Sequence, residues 1–173
     1  EKSGAHQEKA IACALQIGKS LLDSGHLGRA IAILESTLES TTPNGSLLVG
    51  EVLADLYENS GQATAWKHLV TRLSERVQSA QPDGERAFLR TRAMYANSYG
   101  QSRSALADAV QALNMAPSDE ESQRAAQRAV YCCLAMGKPA DGEPYARTAL
   151  EAAGKRSDLR VRSLRALGTV LTW

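Results

Sequence analysis

Aromatic residues make up only 5% of this sequence, with a single phenylalanine. Sandwiches and barrels cover their pleated faces with aromatic and β-branched side chains, so this scarcity argues against both. Cysteines number three, Cys13, Cys132 and Cys133. An odd count with two adjacent residues is a poor disulfide framework, and a reducing cytoplasm is the expected setting. No stretch approaches 18 apolar residues and no leader pattern opens the chain, so neither a membrane span nor a signal peptide is expected. The chain starts at Glu1 without a methionine and stops at Trp173 inside a helical pattern, as a segment of a longer protein would. Charge of one sign is missing too. The net charge is +1, split as −2 over residues 1–81 and +3 over 82–173, which advertises neither nucleic acid nor an anionic membrane as partner.

Motifs that carry chemistry are equally lacking. No glycine-rich phosphate loop, dinucleotide fingerprint or nucleophile elbow is present. His6, His26 and His68 have no Cys, Asp or Glu at metal-ligand spacing. Adjacent helical residues point about 100° apart, so Cys132 and Cys133 do not share a ligand and read as packing residues. The triplet Asp119–Glu121 falls in a first helical turn, where it complements the helix dipole. No cofactor, metal or catalytic activity is expected.

What the sequence does have is a repeat. Gly25, Gly61, Gly100 and Gly137 each close one apolar-periodic run and open another, at intervals of 36, 39 and 37 residues. Glycine just past a helix end supplies the left-handed conformation that stops the helix. Ile11, Ala14, Leu15, Gly18, Leu21 and Leu22 recur at spacings of three and four, as do Ala30, Ile31, Leu34 and Leu38. The pattern predicts helices over 7–23, 27–40, 45–59, 62–79, 83–98, 102–115, 119–136 and 139–153, with a ninth, unpartnered, over 157–173. Ser118 to Glu121 forms a capping-box pattern and Ser157-Asp158 a helix start. Pro144 is expected in the first turn of a helix that begins late, near Asp141, because an interior proline costs about 3 kcal/mol.

The slots within each unit resemble the tetratricopeptide (TPR) signature. The first unit carries Ile17-Gly18, Leu21, Gly25, Ala30 and Leu34; the second Leu53-Ala54, Tyr57 and Gly61, with Trp66 where a small residue belongs and Ala65 beside it. The third carries Ala93, Gly100, Ala105, Ala112-Leu113 and Pro117; the fourth Ala129, Cys133, Gly137, Gly142 and Ala149-Leu150. The last helix repeats Leu164, Leu167-Gly168 and Leu171. The resemblance implies a right-handed all-α solenoid of antiparallel helix pairs. It would form one domain over 1–173, with units at 7–42, 44–81, 82–117, 118–154 and a partial 155–173. Gly18, Ala54, Ala93 and Gly168 on first helices, and Ala30, Ala105 and Gly142 on second helices, would be points of close approach. The long intervals resemble divergent TPRs of bacterial signalling and regulatory proteins.

That resemblance implies a protein- or peptide-binding scaffold or sensor, with the site in a concave groove lined by first helices. Carried over by position, the groove shows Lys19, then Glu51, Asp55 and Glu58, then Arg90, Met94 and Asn97, then Arg124, Gln127 and Tyr131, and last Arg162 and Arg165. It would run from acidic to basic, with Tyr131 and Met94 as exposed anchors and the arginines as a row for an acidic peptide. The opening helix offers Leu15 and Lys19 without the asparagine that chaperone-tail binders use. The alternative is a solenoid that only spaces or oligomerises other domains. Leu164, Leu167 and Leu171 on the unpaired helix would need cover, and self-association through that helix is expected at high concentration.

Overall fold

A computed structural model describes the backbone of residues 2–172, and their side chains apart from those of 2–8, 19, 22, 23, 157 and 158. Nine α-helices and no strand occur among the described residues: α1 (Lys2–Asp23), α2 (Leu27–Ser40), α3 (Pro43–Ser60), α4 (Ala63–Arg76), α5 (Pro82–Ser98), α6 (Ser102–Asn114), α7 (Asp119–Ala135), α8 (Pro139–Ala153) and α9 (Ser157–Thr172). A single 3₁₀ turn, Val77–Ser79, follows α4. The chain forms two compact units, residues 1–91 and 92–173, divided within α5.

The repeat read from the glycines is a repeat of one turn. Gly25, Gly61, Gly100 and Gly137 all have φ between 68° and 78°. After each, the next N–H reaches back five residues: His26 to Leu21 (2.7 Å), Gln62 to Tyr57 (2.9 Å), Gln101 to Ala96 (2.8 Å) and Lys138 to Cys133 (2.9 Å). This is the Schellman closure, which satisfies carbonyls left without partners at a helix end. A side chain at such a φ would crowd its own backbone, which is why glycine stands at all four.

In the first unit α1 packs on α2 and α3, and α3 packs on α2 and α4. Ala30, Leu34, Leu38, Leu47, Val49, Leu53, Ala54 and Leu73 are sealed from solvent. Close approach is bought by missing side chains: a Cβ on Gly18 would lie 3.1 Å from Leu34, and one on Gly50 would lie 2.5 Å from Leu73. Arg76, at the end of α4, donates to the Leu38 carbonyl (2.9 Å) and to Ser46, tying the last turn of α2 to the start of α3. Thr42 caps α3 by accepting from the Gly45 N–H (3.1 Å), with Pro43 in the first turn. Tyr57, nearly buried, donates its hydroxyl to Glu35; burial, then that carboxylate, hold the phenol well above its ordinary range.

In the second unit α6 packs on α7, α7 on α8 and α9, and α8 on α9. Alanines and a cysteine fill the α5–α6–α7 seam: Ala93, Ala96, Ala105, Ala109, Ala129 and Cys132. Val130, Ala146, Ala166 and Val170 form the next layer. Ser118 caps α7 by accepting from the Glu121 N–H (3.4 Å).

Three local expectations are corrected. The helix carrying Pro144 begins at Pro139, not near Asp141, so Pro144 lies inside it. Its strain is met near the helix start, where Asp141 N–H bonds the Lys138 carbonyl (3.1 Å) in a tighter, 3₁₀-like turn, and Ala140, whose carbonyl loses a donor, is exposed to water. In the second pair Trp66 itself is buried, while Ala65 is half-buried, so the indole fills the slot expected of a small residue. Gly168 is exposed with open space where its Cβ would be, so it approaches no described neighbour.

Candidate functional site

The expected groove residues divide between the two units. In the first, α3 presents Asp55 and Glu58 to solvent. Glu51, one turn earlier, is committed: its two oxygens accept from Arg90 Nε (2.5 Å) and Nη2 (2.7 Å). Arg90 is only 7% exposed. It therefore belongs to a bidentate, largely desolvated ion pair and not to an open basic row, which corrects its expected placement. Lys19 lies outside the described side chains.

The same unit holds a cleft that sequence reasoning missed. It has a volume of about 580 Å³ and lies among Ile11 and Leu15 of α1, Pro43 and Leu48 of α3, and Gln81 and Asp83 at the start of α5. Asn44 forms its polar rim, donating to Asp83 (3.3 Å) and accepting from the Gln81 N–H (3.1 Å). Asn44 and Asp83 are 39 residues apart, the same interval as Glu51 and Arg90, so both pairs join equivalent positions of successive units. That spacing is the signal that would have found them.

In the second unit Met94 is 2% exposed and its sulfur accepts from Arg128 Nη2 (3.1 Å), so it is core, not an exposed anchor. Asn97 is half-buried. The other five residues lie on α7 and α9. Tyr131 is 40% exposed, and Gln127 donates to its hydroxyl (3.1 Å). Gln127 in turn accepts from Gln123 (3.4 Å), whose amide also donates to Ser163 of α9 (3.2 Å). Ser163 donates to the Leu159 and Ala149 carbonyls (3.0 Å each). Gln123 and Ser163 are buried, so a hydrogen-bond chain rooted in the core ends at an exposed phenol. The spacing of Gln123, Gln127 and Tyr131, four residues each, places them on one face.

Arg124 extends this face. Its guanidinium donates to Glu120 Oε1 (2.7 Å), while Arg156 donates to Glu120 Oε2 (2.6 Å). The Arg156 hydrogen bond and the charge of Arg124 hold the Glu120 carboxyl below its usual range. Arg162 and Arg165 on α9 are exposed and make no ion pair with any described residue. They repeat the positions of Arg124 and Gln127 one unit later, 38 residues on.

No group of three or more potential metal ligands occurs among the described residues. Cys13 is exposed, while Cys132 and Cys133 are buried. Burial pushes the Cys132 thiol up to about 11, and burial followed by the Asp141 charge raises that of Cys133. Both stay protonated at neutral pH, where the thiolate is the reactive form. Of the three thiols, only Cys13 is expected to react promptly with an aromatic disulfide reagent at pH 8 in the native chain, the other two following on unfolding. Prompt reaction of all three in folded protein would contradict the packing of α7.

No helix among the described residues is long and apolar enough to cross a membrane. No family model matches the chain, and no curated protein matches its sequence.

Proposed function

We propose that the chain is a protein- or peptide-binding scaffold of TPR-like helix pairs, serving as a binding or sensing module of a larger signalling or regulatory protein. The observation that carries this reading is an exposed tyrosine on α7 held in place by a hydrogen-bond chain that reaches α9, with exposed Arg124 on the same helix and exposed Arg162 and Arg165 on α9. An aromatic whose orientation is already set loses little entropy on binding, and tyrosine and arginine are the residues that most often dominate interface energies. Arginine's planar fork suits carboxylates, so an acidic, extended peptide with one apolar or aromatic side chain fits this face. The cleft beside Ile11 and Leu15 offers a further apolar seat in the first unit. A spacer without a ligand would have no need of a tyrosine oriented from the core.

The test is an array of acidic decapeptides, each with one aromatic residue, against scrambled neutral controls at low salt. Wild-type chain is expected to retain a subset of the acidic peptides. Tyr131→Ala, and separately the double reversal Arg124→Glu with Arg162→Glu, should weaken retention tenfold or more without changing helicity. Single exposed charges are worth only about 0–1 kcal/mol, so one arginine alone is expected to show little. Retention of no acidic peptide above the controls would favour the spacer reading.

A further inference from the structure

The second unit holds a notch where two of the glycine turns meet. Gly100, Ser102 and Arg103 line it from the turn into α6, and Ala135, Met136 and Lys138 from the turn into α8, around a volume of about 320 Å³. Both turns are internal to the chain, with helices before and after them. The first N–H groups of a helix have no carbonyl one turn behind them. At α6 the first ladder bond runs from the Ala105 N–H to the Gln101 carbonyl (3.0 Å). The N–H groups of Ser102, Arg103 and Ser104 donate to no described residue, and the Gln101 side chain does not cap them.

The residues at this helix start add to its positive charge. Helix starts carry a partial positive charge and favour acids. The first turn of α6 has no acidic residue, and it bears Arg103 instead. Lys138 stands immediately before α8. Both cations are exposed and make no ion pair with any described residue. Asp141, in the first turn of α8, is exposed and does not line the notch. Ser102 is the independent sign of a ligand. It lines the notch, is only 6% exposed, and its hydroxyl bonds no described residue. Burying a hydroxyl without a partner costs stability. The repeat does not require it, because Leu27-Gly28, Ala63-Thr64 and Pro139-Ala140 fill the places of Ser102-Arg103 in the other units.

We propose that this notch binds a phosphate group, free or as a monoester. Its oxygens accept from the N–H groups at the start of α6 and from the Ser102 hydroxyl, and its charge lies against Arg103 and Lys138. Helix N-termini hold phosphate by this combination of donors and dipole. Three oxygens and up to two negative charges match the donor set, whereas a carboxylate would leave part of it unused. None of these residues belongs to the surface around Tyr131, so the inference stands apart from the peptide-binding reading.

The isotope-labelled 173-residue chain can be titrated at fixed ionic strength with sodium phosphate, O-phosphoserine and sodium acetate while its amide spectrum is recorded. Phosphate and O-phosphoserine should shift the amides of Ser102, Arg103 and Ser104 saturably, and acetate should not. Arg103→Glu should weaken phosphate binding tenfold or more and Ser102→Ala severalfold. Without phosphate both variants should melt higher than wild type, since one adds an acid at a positive helix end and the other removes an unpaired buried hydroxyl. A serine and an arginine that served only the fold would give the opposite sign. Lys138→Glu, at an exposed position outside α6, should also weaken binding and gives an independent reading. No saturable shift at millimolar phosphate, equal shifts with acetate, or binding unchanged in both Arg103→Glu and Ser102→Ala would overturn the proposal. Tighter binding of O-phosphoserine than of phosphate would sustain the site and assign it to a phosphate monoester; equal binding would sustain it and assign it to free phosphate.

Discussion

Glu51→Ala is expected to destabilise the chain by about 3–5 kcal/mol, far more than an ordinary change on a half-exposed helical residue. The cost comes from the partner left behind. Arg90 is 7% exposed and gives Nε and Nη2 to the two Glu51 oxygens; with the carboxylate gone, a mostly buried guanidinium loses both of these charge-assisted bonds. Arg90→Ala should be milder, because Glu51 is nearer to solvent. Replacing both residues together, Glu51→Leu with Arg90→Met, should recover most of the loss, since a buried pair roughly balances its own desolvation. Urea unfolding followed by circular dichroism measures all three. Equal, small effects for both single variants would mean that the pair is open to water and that Arg90 is available for ligand after all.

The same pair shows where sequence reading worked and where it stopped. Helix order and period were legible because they depend on local chemistry. Glycine ends helices by its backbone alone, and apolar spacing reports the buried face, so 27–40 was met residue for residue and most other boundaries within two. The exceptions were the start of α1, at Lys2 and not near residue 7, and the end of α4, at Arg76 and not near residue 79, where the chain tightens into a 3₁₀ turn. The groove was legible only as positions on a wheel. That view sorts Glu51 into an acidic stretch and Arg90 into a basic one, and it misses that the 39-residue period places them side by side. Opposite charges at equivalent positions of successive units neutralise each other and sink into the packing. Like charges such as Arg124 and Arg162 stay at the surface. Met94 was misread for a related reason: a groove position near a neighbouring helix is covered, and Arg128 reaches its sulfur. Pro144 shows the limit of a local penalty, since a solvent-exposed second turn tolerates the missing hydrogen bond.

Close packing at Gly50 gives the other large effect, and one that changes sign with context. A methyl group at Gly50 would lie 2.5 Å from one Leu73 δ-carbon and 3.0 Å from the other. Leu73 is sealed from solvent, so it has no free space to move into. Gly50→Ala should therefore cost about 1–3 kcal/mol through overpacking, although alanine is the better helix former. Leu73→Ala should cost about 2–5 kcal/mol, as a buried leucine leaves a cavity that neighbours fill only in part. In the double variant the clash is gone and the new methyl group occupies part of that cavity. Alanine's helical preference over glycine, about 0.5–1 kcal/mol, is then expressed without opposition. Gly50→Ala is thus expected to destabilise the wild-type chain and to stabilise the Leu73→Ala background. The coupling between the two sites should be large, as residues in direct contact show. Unfolding free energies for the four proteins of this cycle decide the matter. Simple additivity would mean that α3 and α4 are not in contact at Gly50, and the register of that helix pair would have to be redrawn.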